Sequence, residues 1–523
     1  MIKNIDNTEF NNYFQHGVAS GDALYNQVII WTRLTIPIEI NKIEVNYEIS
    51  LDNYFQNLVT FGIGSTSYDD DYTLKIDVRN LSPLTVYYYR FKFKEIYSPI
   101  GRTKTAPLNE NISSVKFAMV SCSHLQDGYL SAYYHLANQN YIDFVIHLGD
   151  SIYEYGSDHK DSPNPIPPKL SKPKKKYIRS IHNPSYDCVT LQDYRARYKQ
   201  YLEENEYQMV NSKHCFYFTW DDHESADNSF KDGASNHNPI TQGDWNLRFS
   251  AARQAWFEYH PVRNTNNLIY RSVPYGNLLS LYILDERTYR DKQATKKNYA
   301  ERFDLKRTIL GFEQKVFFRE QLLKSQAKWK FIVNPVMFSE LLLKVPIPKF
   351  KFLSKLRNRL GLTDSNKLYL NTDSWDGYVA ERNEIKDYIR SNELNNIVFL
   401  TGDIHMSLVC EIPYDYQTFS KTNDSIGVEI ITPSLTTDNL NDVLRLKEGN
   451  FISKLMKKCI KKSNSHLKFI DTDKHGFVII TVEEDFLRTD YWYVSDKTKR
   501  NAHLMKGASI NIQSYSNTVK ILK

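Results

Sequence analysis

DFVIHLGD, residues 143–150, is a short apolar run that ends in Gly149 and Asp150. A run of this length with turn residues at its end reads as a buried strand. Gly149 has no side chain, so the chain can pass close to a ligand just where a carboxylate is presented. Six more runs have the same form. On the N-terminal side of the quoted run lies VKFAMVSC (115–122), and on its C-terminal side CFYFTWDDHE (215–224), LLSLYILDERTYR (278–290), WKFIVNPVMF (329–338), NIVFLTGDIH (396–405) and GVEIITPS (427–434). Between them lie helical stretches such as YLSAYYHLANQN (129–140), DYRARYKQYLEEN (193–205), DWNLRFSAARQAWFEYH (244–260) and FEQKVFFREQLLKSQ (312–326). Apolar strands alternating with helices mark an α/β layered domain, here placed at residues 112–500.

Residues 10–107 read differently. KIEVNYEIS (42–50) and YTLKIDVRN (72–80) alternate and are bounded by polar turns, the pattern of a small all-β sandwich of fibronectin III type. In NLSPLTVYYYRFKF (80–93), Leu81, Pro83, Thr85 and Tyr87 match the approach to a tyrosine corner. Two inserts look irregular, residues 157–190 with SPNPIPPKLSKPKKK, and residues 341–371 with KVPIPKFKFLSKLRNRL. The lysine run could funnel an anionic substrate, but a solvated loop is the plainer reading.

The chain has 523 residues, 41% of them hydrophobic, enough for a sizeable core. The net charge of +6 is small for this length and does not suggest a nucleic-acid or membrane-surface protein, in which basic residues should also cluster. No run reaches the roughly 18 apolar residues of a transmembrane helix. The five cysteines form no CxxC pair, which argues against a zinc knuckle or a disulfide framework. The opening MIKNIDNTEFNNYFQ lacks the parts of a secretory signal, so a cytoplasmic location is expected, with an exported protein whose signal has been removed as the alternative.

The polar residues concentrate at the strand ends. Cys122, Asp150, Asp222 with His223, and Asp403 with His405 each follow an apolar run. In open α/β sheets the crevice outside the carboxyl ends of the strands is where ligands bind. Tyr153 follows Asp150 by three residues, so one turn could bring phenol and carboxylate to one ion. Asp403 and His405 alternate along what reads as an extended segment, which would put both side chains on one face. Cys122 is a soft donor that prefers iron or zinc. For any single site the plainer reading is a cap, a turn or a small buried residue. Holding at four strand ends at once makes that reading a poor one.

Taken together, the chain resembles the alkaline phosphatase D (PhoD) family of calcineurin-like metallophosphoesterases. The matching stretches are HGVASGDALYNQVIIWTRL (16–34), MVSCSHLQDG, DFVIHLGDSIYEYG, LQDYRARYKQYL, FTWDDHESADN, LYILDERTYR, WDGYVAERN, VFLTGDIHMS and ITPSLTT (431–437), in family order. The resemblance implies a two-layered β core flanked by helices, preceded by the small β domain, and a bimetal site. It would make Asp150 the bridge between two metals, with Cys122 and Tyr153 on an Fe³⁺; the GD…Y pairing is similar to the iron signature of purple acid phosphatases. Asp222 stands where the superfamily has the Asn of GNH and would bind the second metal. His405 matches the last His of GHxH, and Asp403 replaces the first. At the end of the 329–338 strand, where the superfamily has a His, Asn334 occupies the nearest position and would be the metal ligand there, a departure from the pattern. His223 would face the substrate rather than bind metal. The family implies Ca²⁺ in the second site, in keeping with fewer imidazoles and more oxygen donors.

The expected reaction is hydrolysis of phosphate mono- or diesters, in which two cations clamp the phosphoryl group and acidify a water. His223 would bond the phosphoryl group or protonate the leaving alkoxide. Arg287 is expected to pair with Asp285 or Glu286. Two other readings stand beside this one. The first is a hydrolase of the same fold using Zn²⁺ or Mn²⁺ on another phosphate ester, phospholipid head groups included. The second is a catalytically silent binding protein. No nucleic-acid module is seen, and the spacing specifies no oligomeric state.

Overall fold

Alternation along single strands sorts side chains into two cores. In the strand Ser114–Val120, Phe117 and Met119 face one way and Ala118 and Val120 the other. Phe144 and Ile146 share the core of Phe117, while Val145, Phe216 and Phe218 share that of Ala118. Strands apolar on both faces must be covered on both faces, and these lie between a second sheet and a helical layer.

The computed structural model describes residues 13–37, 39–108, 112–156, 179–294, 299–344 and 367–522. A ten-stranded sheet holds, side by side and parallel, Ser114–Val120, Phe144–His147, Cys215–Phe218 and Val18–Leu24. A seven-stranded sheet holds Leu279–Ile283, Trp329–Val333, Ile397–Thr401 and Ser425–Ile431, again parallel. Phe331, Val333, Val398, Leu400 and Ile430 of the second sheet meet Phe117, Phe144 and Ile146 of the first. Outside the first sheet lie the helices Ser131–Ala137, Leu191–Leu202, Asn205–Lys213 and Trp245–Tyr259. Outside the second, Phe318 and Leu322 of Phe312–Lys324, with Ile385 and Ile389 of Val379–Ser391, pack on Ile332 and Phe399. The result is the expected two-layered β core flanked by helices. Local signals start the helices: Thr190 and Asp193 form a reciprocal capping box, and Asp244 accepts from the backbone of Asn246 and Leu247.

The N-terminal unit is a sandwich, but one of its layers is shared. Its five-stranded sheet includes Ile43–Ser50, Leu58–Thr66 and Val86–Phe93. The facing strands, Val18–Leu24, Gln27–Arg33 and Thr73–Arg79, continue the ten-stranded sheet, with Ser20 opposite Cys215. The sandwich expected at residues 10–107 thus shares a sheet with the strands that follow it in the chain. The tyrosine corner is present: the buried Tyr87 hydroxyl accepts from the backbone N–H of Ser82 at 2.8 Å. The lysine run at residues 171–176 and most of the 341–371 insert lie outside the described residues. No described helix is long and apolar enough to cross a membrane.

Candidate metal centre

The carboxyl ends of the parallel strands in both sheets open onto one cleft of about 600 Å³. Cys122, Asp150 and Asp222–His223 arrive from three neighbouring strands of the first sheet, and Asp403 and His405 from the second. Metal-ligand atoms of Cys122, Asp150 and His405 lie within 4.8 Å of one another, as do those of Asp150, Asp222 and His223, and those of Asp221, Asp222 and Asp403. Asp150 belongs to two of these groups and so does Asp222. Tyr153 joins them, its hydroxyl donating to Asp150 Oδ2 at 2.9 Å and accepting from Thr437 Oγ1 at 2.7 Å.

The backbone is bent to make this convergence. Cys122, Asp150, Asp403 and His405 all have left-handed φ, between 55° and 58°. A non-glycine residue there costs about 1–3 kcal/mol, and such outliers gather at functional sites. Asp403 and His405 thus do not sit on an extended segment as expected. A tight turn, with Ile404 N bonded to Gly402 O at 2.6 Å, carries both into the cleft instead. Gly149 has φ +96°, and a Cβ there would lie 2.5 Å from Asp221 N and Cβ. Any side chain would drive the Asp150 loop and the Asp221 loop apart. Glu224 ties these two loops together, accepting from the N–H groups of Asp150, Ser151 and Asp221 at 2.9, 2.6 and 2.8 Å.

Charge is concentrated and incompletely compensated. Burial above all, reinforced by Asp222, Glu224 and Asp403 against the pull of His223, pushes the Asp150 carboxyl well above the usual range. Asp221 is raised likewise by burial, despite Arg287. Burial, partly offset by Arg287, brings Asp403 to about 7. Asp222 goes the other way: burial opposes its charge, but Arg287 and His223 hold it below the ordinary value. Burial and then Asp150 raise the Cys122 thiol and the Tyr153 phenol. Burial, and then His223, lower His405 to about 4. His405 Nδ1 lies 3.1 Å from the Asp438 carbonyl, so Nδ1–H donates there and Nε2 keeps a free lone pair. Asp221 Oδ2 is buried with no hydrogen-bond partner. A cluster of raised acids, a neutral imidazole and an orphaned carboxylate oxygen is what cations would complete, displacing the protons. The donors fit a metal pair.

Two expectations need correction. The Arg287 guanidinium does not pair with Asp285 or Glu286. Nε meets Asp221 Oδ1 at 2.5 Å, Nη1 meets Asp373 Oδ2 at 2.7 Å, and Nη2 lies 3.4 and 3.5 Å from Asp222 and Asp403. Only its backbone N–H reaches Asp285. Asn334 is not brought to the cluster. Its amide donates to the Val336 carbonyl and to Thr401 Oγ1, and its oxygen accepts from Trp375 Nε1, so the side chain is used in the fold. His223 lines the cleft with Nδ1 2.8 Å from Glu154 Oε2. Asp222, Glu154 and Asp150 raise its proton affinity well above the ordinary value, overcoming burial. Glu154, Glu224, Asp221, Asp373 and Thr437 have roles here that the strand-end pattern alone does not assign.

Comparison with known proteins agrees with this geometry. A family model described as PhoD-like phosphatase matches residues 117–491, and a second, PhoD-like phosphatase, N-terminal domain, matches residues 3–107. The chain belongs to the PhoD-like phosphatase family. It is 33% identical to alkaline phosphatase D of Bacillus subtilis (strain 168), over 96% of this chain and 82% of that protein. It also superimposes on the solved structure of PhoD with TM-score 0.83 and 30% identity, covering 98% of this chain and 93% of the other. A purple acid phosphatase from yellow lupin (Lupinus luteus) seeds shares the fold at TM-score 0.53 and 13% identity, over 94% of this chain and 73% of the other. This PhoD-like chain is therefore a phosphoric ester hydrolase, with a donor cluster suited to metal at the site where its strands converge.

Proposed function

We propose that Asp150 bridges two cations, with Cys122, Tyr153 and His405 holding Fe³⁺ on one side and Asp222 and Asp403 holding Ca²⁺ on the other. The carrying observation is that Asp150 sits both with Cys122 and His405 and with Asp222 and His223, while Asp222 in turn belongs to the all-carboxylate group with Asp221 and Asp403. A thiol, a phenol and an imidazole suit iron, whereas carboxylates alone suit a hard cation. Asp221, whose Oδ2 lacks a partner, adds a further oxygen to the carboxylate side. When bound, the cations supply Lewis-acid stabilisation of the phosphoryl oxygens and a nucleophile at ordinary pH.

The chain's own residues do the rest. Arg287 and Arg290 clamp Asp373, and Arg287 extends to Asp221, so the acidic wall is fixed before substrate arrives. His223, oriented by Glu154, holds a proton on the cleft side and can donate it to a phosphoryl oxygen or to the departing alkoxide. Phosphate mono- and diesters are the substrates on this reading. Metal analysis of protein purified without added metal or chelator, run beside a panel of both ester types, tests it. Asp150→Asn should abolish turnover and deplete metal while leaving the fold intact. Native rates and native metal content in that variant would remove the bridging role.

A further inference from the structure

We infer that the helix Phe451–Ser463 is a docking element for an anionic lipid surface, set at the rim of the catalytic cleft. Its sequence, FISKLMKKCIKKS, holds five lysines and no acidic residue. At 100° per residue, Phe451, Ile452, Leu455, Met456 and Cys459 span one flank, Lys454, Lys457, Lys458 and Lys461 the adjoining one, and Lys462 falls at their border, between Phe451 and Leu455. The helix meets the protein by a narrow edge. Ser453 and Ile460 are buried, and Lys457 pairs with Asp471 and Asp473. The apolar flank is left in water: Phe451 is 77% exposed, Ile452 51% and Leu455 50%.

Burying such side chains is ordinarily favourable, and three large ones left out on one helix flank mark a surface that meets something apolar. The adjoining lysines specify what. A bilayer offers hydrocarbon beneath a layer of anionic headgroups, and a helix with apolar and basic flanks side by side matches that layering when it lies in the interface plane. A nucleic acid would leave the apolar flank uncovered, and this flank offers no aromatic ladder for stacking. The small net charge of the whole chain hides this cluster, because +5 sits on thirteen residues of one helix. The helix is also placed to matter. Ile460, on its buried edge, lines the cleft with Leu440 and Val443, so docking the outer flank would bring the cleft mouth to the membrane surface.

The protein carries its own reporter. Cys459 is exposed on the apolar flank and the other four cysteines are buried, so an environment-sensitive fluorophore can be attached there selectively. Adding one-to-one phosphatidylglycerol–phosphatidylcholine vesicles to the labelled full chain should shift emission to the blue, and salt should weaken the response. Pure phosphatidylcholine vesicles should produce little shift. Lys458→Gln with Lys461→Gln should weaken vesicle binding roughly thirtyfold, at about one kilocalorie per lysine. Phe451→Ser with Leu455→Ser should remove insertion. Both pairs should keep the native melting temperature and the native rate on a small soluble ester. Absence of a shift with anionic vesicles, or equal shifts with both vesicle types, would overturn the inference. So would a label already blue without lipid in a dimer that Phe451→Ser disperses, since a second copy would then cover the flank.

Discussion

Nδ1 of His223 lies 2.8 Å from Oε2 of Glu154, whose other oxygen accepts from the backbone N–H of Asp227 at 2.8 Å and from Asn236 at 2.7 Å. The carboxylate is thus held on both oxygens, and it holds the imidazole with Nε2 free for the cleft. Burial opposes charge on Glu154, yet His223 keeps the carboxyl below its usual value, so the pair is an ion pair at neutral pH. Glu154→Gln should reduce kcat by about a hundredfold with KM and metal content close to native, because only the proton-bearing group is disturbed. Steady-state kinetics with metal analysis of the same sample checks this. Native kcat would remove the pair from the reaction.

Arg287 is fully buried among carboxylates, with Asp221 and Asp373 as its close partners. Removing one member of a buried ion network strands charge on the others, at a cost of about 3–5 kcal/mol. Arg287→Gln should therefore lower the denaturant midpoint by that order even in metal-loaded protein. Arg287→Lys should recover only part of the loss, since an ammonium cannot reproduce the fork that spans two aspartates. Unfolding curves for the three proteins at one pH decide it, and equal midpoints would show that the network contributes little.

Much of the cleft was readable from residue order alone. Cys122, Asp150, Asp222 and Asp403 stand out because each interrupts an apolar run, and parallel strands place their carboxyl ends together. Tyr153 was readable from one-turn spacing. What could not be read was set by tertiary packing. Nothing in LDERTYR says that Arg287 crosses to Asp221, 66 positions earlier, instead of the neighbouring Asp285. Asn334 looks like a ligand by alignment with its strand end, but Trp375 and Thr401, brought in from elsewhere, occupy its amide. The left-handed turn at Asp403 and His405 is a matter of backbone fit between two sheets, and alternation along the chain carries no trace of it. For the same reason the sandwich strands read as a separate domain. Their pairing with Cys215–Phe218 joins segments nearly 200 residues apart.

Colour separates iron from other metals. A phenolate at Tyr153 or a thiolate at Cys122 can donate charge to Fe³⁺ in the visible range, whereas the filled d shell of Zn²⁺ offers no such transition. Protein purified without chelator should be coloured, and Tyr153→Phe should shift or bleach the band. Cys122→Ser should weaken iron retention more than folding, because it removes a donor with little change in volume. A colourless, fully active protein containing only zinc or manganese would sink the iron assignment and spare the hydrolase.

Acid stability should report a group with no part in the chemistry. His147 is buried on its strand, with Nε2 2.9 Å from the Tyr133 hydroxyl and Nδ1 without a partner. Burial, with His260 adding, lowers its pKa from 6.5 to about 3. The folded pKa is below the unfolded one, so between those values the unfolded chain takes up a proton that the native state refuses. The stability concerned is complete above pH 6.5 and is lost as the pH falls towards 3, at up to about 1.4 kcal/mol per pH unit. His147→Phe keeps the ring shape beside Phe218 and removes the titration. At pH 7 it should cost about 1 kcal/mol for the lost Tyr133 bond. At pH 5 the wild type should have lost about 2 kcal/mol to this group, so the variant should equal or exceed it. Denaturant unfolding of both proteins at the two pH values, in one metal state, gives the answer, and curves that run parallel between them would show that His147 titrates alike in both states.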